Sequence, residues 1–77
     1  MKYLVIELQT DAEGNVAHLV TSHDTLNGAE SKFHTVLAYA ATSELPMHAA
    51  SLVRSDGALL RHEFYEHAQE ETIEGDE

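Results

Sequence analysis

Only one segment of this chain has the spacing of an amphipathic helix, and it lies between two predicted β-hairpins. Its apolar residues recur every three or four positions and form one helical face: Ala29, Phe33, Val36, Leu37 and Ala40. The helix is predicted to begin at Leu26 and to end within residues 42–43, because Pro46 disfavours helical geometry just before it. Asn27 and Glu30 have the spacing of a capping box at its start.

The segments on either side of this helix alternate between apolar and polar residues, as strands do. They are Lys2–Thr10, Val16–Ser22, Met47–Arg54 and Ala58–His67. Gly14 or Asn15 can supply a positive φ in the first connection, and the pair Asp56-Gly57 favours a tight turn in the second. The sequence therefore predicts an α+β fold of order ββαββ, with a four-stranded, mainly antiparallel sheet and one helix packed on one face.

Length and charge limit the classes of function. The chain has 77 residues, 43% of them hydrophobic, which is enough for one core. We predict a single domain over residues 1–67 and a disordered acidic tail over residues 68–77. A net charge of -10 disfavours direct binding to nucleic acid or to an anionic membrane. The apolar run Tyr3–Ile6 is too short for a signal peptide or a membrane span, so a cytoplasmic location is expected.

One helix covers one face of a four-stranded sheet, yet both predicted faces are apolar. The face assigned to the helix carries Leu4, Ile6, Leu8, Leu19, Met47, Ala49, Val53, Leu60 and Phe64. The opposite face carries Tyr3, Val5, Val16, Val20, Ala50, Leu52, Leu59 and Tyr65, with the polar residues Glu7, His18, His48, Arg61 and Glu63 between them. We expect this second face to drive self-association, most simply as a homodimer. The alternatives are ordinary scattered surface residues or a register shifted by one residue, which exchanges the faces.

The sequence has no recognisable catalytic motif. There is no cysteine, and the segment His62–His67 lacks the histidine spacing of the zinc-protease motifs. No glycine-rich phosphate loop is present, and we expect neither enzymatic activity nor a cofactor. His18 and His48, predicted to share a face, form a minor alternative as a metal-binding or pH-responsive module.

Acidic residues are the other candidate for a binding surface. Seven of them are candidate contacts for a basic protein partner: Glu7, Glu13, Asp24, Glu30, Glu44, Glu63 and Glu66. Negative charge on a compact body can imitate nucleic acid toward such a partner. The plain alternative is that these carboxylates only keep the protein soluble.

Several segments resemble a family of short uncharacterised bacterial and prophage-type proteins. They are the run Tyr3–Glu7, the hairpin ending at Thr21, the helical segment Ala29–Leu37 and the segment Pro46–Ala50. The resemblance covers residues 2–67 and implies an origin in phage or mobile-element gene sets, whose small acidic proteins include anti-CRISPR inhibitors and virion accessories. It implies no catalytic residues.

The leading hypothesis is therefore a non-enzymatic inhibitor of phage type, whose acidic surface engages a basic nucleic-acid-processing complex of the host. The second hypothesis is a structural or assembly protein that forms homo-oligomers through its apolar sheet face.

Overall fold

The computed structural model of the chain describes residues 1–68. These residues form β1 (Tyr3–Thr10), β2 (Val16–His23), α1 (Leu26–Thr42), β3 (Met47–Arg54) and β4 (Leu59–Glu66). The predicted α+β class and the order ββαββ are confirmed. The tail predicted over residues 68–77 lies outside the described residues, apart from Ala68.

The four strands form one antiparallel sheet in the order β2-β1-β3-β4. The register sets which side chains share a face. Ile6 of β1 lies opposite Val20 of β2 and Ser51 of β3, and Ser51 lies opposite His62 of β4. These four residues make one row across the sheet, because directly paired residues point to the same side. An irregularity between Leu52 and Val53 interrupts only the pairing of β3 with β4.

The turns and the helix cap follow from local chemistry. Gly14 and Gly57 have φ values of +88° and +96°, a region that glycine enters without the penalty of a Cβ atom. The helix cap differs from the predicted one. Thr25 caps α1, and its hydroxyl oxygen accepts a hydrogen bond of 3.0 Å from the backbone N–H of Gly28. Asn27 instead lies inside the first helical turn.

The core lies between α1 and the two central strands. Phe33 and Val36 of the helix pack with Val5 of β1 and with Ala50 and Leu52 of β3, and all five are buried. A helix is about 10 Å wide and neighbouring strands are about 4.8 Å apart, so one helix covers about two strands. The outer strands β2 and β4 therefore remain largely exposed on this side as well as on the other.

The helix packs on the face opposite to the predicted one. The prediction that Val5 and Leu52 point away from the helix is wrong, since their side chains are 1% and 0% exposed beneath it. Both faces of the sheet are apolar, so apolar content did not identify the face that the helix covers. In addition, β2 is shifted by one residue relative to the predicted assignment of its faces, so Leu19 lies opposite Glu7 on the helix-covered side.

Candidate functional site

The most distinctive surface of the described chain is the side of the sheet that carries no helix, here called the open face. Its apolar members are Leu4, Ile6, Leu8, Val16, Val20, Met47, Ala49, Val53, Leu59 and Phe64. Its polar members are Thr10, His18, Ser22, Ser51, His62 and Glu66. Both sets follow from the observed register, because side chains alternate between the faces along each strand.

The open face exposes large apolar side chains to solvent. Val16, Val20, Leu59 and Phe64 are exposed, with values between 49% and 61%. The residues of β1 on this face are half-buried, because strands flank β1 on both sides. Large exposed apolar side chains grouped on one side of a sheet are typical of protein interaction surfaces, so the open face is the candidate binding surface.

Formal charge is nearly excluded from the open face. Glu66, at the last position of β4, is its only member that is an aspartate, glutamate, lysine or arginine. None of the ion pairs formed within residues 1–68 involves an open-face residue. The helix-covered side differs, because Glu7, Arg54, Arg61 and Glu63 lie on its strands. The core of a protein interface is depleted of charge in the same way.

The structure divides the predicted self-association residues between the two faces. Val16, Val20 and Leu59 lie on the open face, as the proposed contact requires. Tyr3, Val5, Leu52 and Tyr65 lie on the helix-covered side. The open face instead carries most of the strand residues that were predicted to lie beneath the helix. The exceptions are Leu19, which lies on the helix-covered side, and Leu60, which falls at the irregularity of β4.

Three of the seven candidate acidic residues are engaged in contacts within the domain. Asp24 pairs with Lys2, Glu30 accepts a 2.7 Å hydrogen bond from Arg61, and Glu7 lies on the helix-covered side of β1. His34 also lies 3.6 Å from Glu30, one helical turn before it on α1.

The other four candidate acids are distributed over the fold. Glu13 lies in the β1–β2 turn, Glu44 in the connection from α1 to β3, and Glu63 and Glu66 on β4. They form no ion pair within residues 1–68. The register brings three of them to one end of the sheet, because Thr10, Met47 and Glu66 are neighbours there.

Glu7 and His48, which the sequence analysis assigned to one face of the sheet, form a pair under the helix. His48 is 4% exposed, and its Nε2 lies 2.6 Å from Glu7 Oε2, so Nε2 carries the hydrogen that it donates to the carboxylate. Gln9 Nε2 donates a second hydrogen bond of 2.9 Å to the same oxygen. His48 Nδ1 is buried and has no hydrogen-bond partner. The contact between His48 and Glu7 joins β3 to β1, whereas Gln9 and Glu7 both lie on β1.

The electrostatic surroundings of Glu7 keep its carboxylate ionised. Burial alone would raise the pKa of Glu7, but the hydrogen bonds from His48 and Gln9, together with the nearby Lys32 ammonium, lower the pKa below its ordinary value. A carboxylate of this kind is a poor general acid at neutral pH. Glu7 lines a cavity of about 190 Å³ between the helix and β2, together with Lys32, Leu19 and Val36.

The predicted histidine pair does not come together. His18 lies opposite Leu8 on the open face, whereas His48 lies opposite Gln9 on the helix-covered side. The prediction that they share a face is therefore wrong. Residues 1–68 contain no group of three histidine, aspartate or glutamate side chains placed to hold a metal ion.

Two further observations concern the chain as a whole. Within residues 1–68, α1 lacks the length and apolar character needed to cross a bilayer. Comparisons with protein-family models, with curated proteins and with solved structures give no match for this chain. On the described chain, the open face is the surface on which apolar exposure and near absence of charge coincide.

Proposed function

We propose that this chain is a non-enzymatic protein-binding and assembly domain, and that the open face is its binding surface. The observation that carries the proposal is the contrast between the two sides of one sheet. The helix-covered side mixes apolar and charged residues, whereas the open face is apolar and carries a single carboxylate at its corner. Desolvating an apolar surface is favourable, and desolvating unpaired charges is not.

This contrast reflects the width of the cover on each side. A single helix leaves the outer positions of its face in contact with water, where Arg61 and Glu63 can stay hydrated. A cover as wide as the whole sheet would bury such positions, so charge would be costly there. The open face has the composition expected beneath a wide protein surface.

The first test is hydroxyl-radical footprinting of the chain in the cells that encode it. Phe64 on the open face and Tyr39 on the outer side of α1 are both aromatic, and their exposures in the isolated chain are 49% and 67%. If a protein covers the open face, the ratio of Phe64 to Tyr39 oxidation should be lower by about fivefold or more than these exposures give, because the core of an interface is fully desolvated. A ratio that matches the exposures of the isolated chain contradicts the proposal.

A second candidate function is the phage-type inhibitor that engages a basic nucleic-acid-processing complex. It is favoured by the distribution of the cations, since three of the four lysine and arginine residues are paired with carboxylates. Lys32 is the remaining one and has no ion pair within residues 1–68. A chain with net charge -10 would therefore present its unpaired acids to a partner almost without competing positive charge.

Charge reversal separates this candidate from plain solubility. In a variant with Glu13, Glu44 and Glu63 replaced by lysine, we expect copurification of a basic partner complex to fall by about tenfold or more, and binding of the wild-type chain to weaken steeply with added salt. Binding that survives both changes would remove electrostatic capture as the mechanism. The substitutions leave the apolar positions of the open face intact, so the two functions are tested independently.

A further inference from the structure

We infer that the occupant of the open face is a second copy of this chain, packed sheet against sheet about a twofold axis that runs along the strands between β1 and β3. The inference rests on the proposed function, because it names the partner of the same surface. It is carried by the area of the open face, by its lack of charge and by the order of large and small residues across it.

The open face is large enough for a stable dimer. Each of the four strands has eight residues. With a rise of about 3.3 Å per residue and a spacing of about 4.8 Å between strands, the face covers on the order of 500 Å². Two copies face to face would bury on the order of 1,000 Å² of flat area, and more once side-chain relief is included, which reaches the size of specific interfaces.

The lack of charge favours a copy of the same chain over a partner of opposite charge. In a twofold interface each surface meets itself, so a charged patch would face its own sign. A strongly acidic chain can therefore pair with itself only through a surface that leaves its carboxylates outside. The open face meets this condition, with Glu66 at its edge as the single exception.

The order of residues across the sheet indicates where the axis lies. β1 presents the large residues Leu4, Ile6 and Leu8 to the open face, whereas neighbouring β3 presents the small residues Ala49 and Ser51 near its centre. A twofold axis along the strands, between β1 and β3, lays β1 of each copy over β3 of the other. Large side chains then meet small ones at the centre of the interface, as interdigitating sheet packings require.

The same axis places the outer strands over each other, β2 of one copy over β4 of the other. Rotation about an axis along the strands preserves position along them, so the row Val20, Ile6, Ser51 and His62 is laid over the same row in reverse order. Val20 of one copy then meets His62 of its partner. An axis perpendicular to the strands would lay Val20 over Val20 or its neighbours on β2.

The test uses two neighbouring positions of β2 on opposite faces. Val20 on the open face and Leu19 on the helix-covered side are 51% and 58% exposed in the single chain, so they are accessible positions of the same strand on opposite faces. Sedimentation of the wild-type chain should show a dimer. Val20→Asp should raise the dissociation constant of this dimer by about 100-fold or more, because two carboxylates lose their hydration in the interface, whereas Leu19→Asp should leave the dissociation constant unchanged.

A complementary charge tests the position of the axis. Mixing Val20→Asp with His62→Lys should restore association in a one-to-one complex, since the inferred packing brings these two positions together. Circular dichroism confirms that each variant is folded. Failure of the mixture to associate, with both variants folded, overturns the axis along the strands.

Other outcomes bear on the second copy itself. A wild-type chain that remains monomeric at high concentration overturns the inference. If Phe64 is nevertheless protected in cells, the open face is still a binding surface and its occupant is another protein. Equal effects of Leu19→Asp and Val20→Asp on dimerisation overturn the assignment of the interface to the open face.

Discussion

Phe33→Ala is expected to remove a large part of the free energy of unfolding of this domain. Phe33 is 1% exposed and is the largest fully buried side chain of the core between α1 and the central strands. Truncating a buried phenylalanine to alanine costs about 3–5 kcal/mol, from lost burial and from the cavity that remains. A domain of this size has about 4–10 kcal/mol of stability in total, at about 0.05–0.15 kcal/mol per residue.

Tyr39→Ala is the matched control for this prediction, because Tyr39 is an aromatic residue on the same helix and is 67% exposed. We expect it to change the free energy of unfolding by about 0.5 kcal/mol or less. Denaturant titration at fixed protein concentration measures both variants, since association would make stability depend on concentration. Equal losses for the two variants would contradict the assignment of the core to this side of the sheet.

Local sequence chemistry is sufficient to predict the elements of this fold. The helical period from Ala29 to Ala40, the proline after the helix and the glycine turns place all five elements within one residue of their observed ends. The N-cap was less predictable, because Thr25 and Asn27 are both capping residues and lie two positions apart. Which of the two residues caps α1 depends on the backbone path of the connection from β2.

The assignment of the faces could not be predicted from apolar content. The triplet Leu4, Ile6 and Leu8 is more apolar than its neighbours, and a chain considered as an isolated monomer would hide it beneath the helix. The observed arrangement is the reverse. The apolar content of a sheet face indicates how favourable its burial is, but it does not show whether the helix or another surface buries it.

Charge placement is the sequence signal that could have assigned the faces. The parity class of Val5 and Leu52 also contains Glu7, Arg61 and Glu63, whereas the class of Leu4 and Ile6 is almost free of charge. Charged residues beside a single helix stay in contact with water, whereas a partner as wide as the sheet would bury them at a cost in free energy. The nearly charge-free class is the one that the helix leaves uncovered. Assigning β2 to either class still requires the pairing, because a shift of one residue exchanges its faces.

Strand alternation assigned Glu7 and His48 to one face, but it could not predict that the two side chains are in contact. The two residues are separated by 41 positions in the chain, and alternation within each strand does not give the pairing between strands. Their contact depends on the β1–β3 register, which places His48 opposite Gln9 and two residues along β1 from Glu7. Long-range pairing of this kind is set by the tertiary structure.

Glu7→Gln is expected to lower the free energy of unfolding by about 1 kcal/mol at pH 7, because hydrogen bonds to charged groups contribute about 1.5–3 kcal/mol and those between neutral groups about 0.5–1.5 kcal/mol. The substitution preserves size and leaves an oxygen that can accept from His48 Nε2, so the loss comes mainly from the charge. His48 is almost completely buried and its Nδ1 has no partner, so the bond at Nε2 is the polar contact that the structure gives its ring. Urea titration of the two proteins at equal concentration measures the difference.

The pH dependence of this difference has a definite sign. The pKa of Glu7 is lowered in the folded domain, so the unfolded chain takes up a proton first as the pH falls. The stabilisation by Glu7 is therefore fully present above the unfolded pKa of about 4.3. It is lost as the pH falls through the lower folded pKa. The stability gap between wild type and Glu7→Gln should thus be largest near neutral pH and should close in acid.

Glu63→Gln is the control that isolates the effect of this site. Glu63 lies on the same side of the sheet as Glu7, but it is exposed and forms no ion pair within residues 1–68. Its substitution should change the free energy of unfolding by about 0.5 kcal/mol or less at any pH, as for most surface positions. Asp11, Asp24 and Asp56 also have lowered pKa values and remain in both variants, so their contributions cancel in the comparison. If the gap between wild type and Glu7→Gln is the same at pH 7 and in acid, the Glu7 carboxylate does not stabilise the fold through its charge.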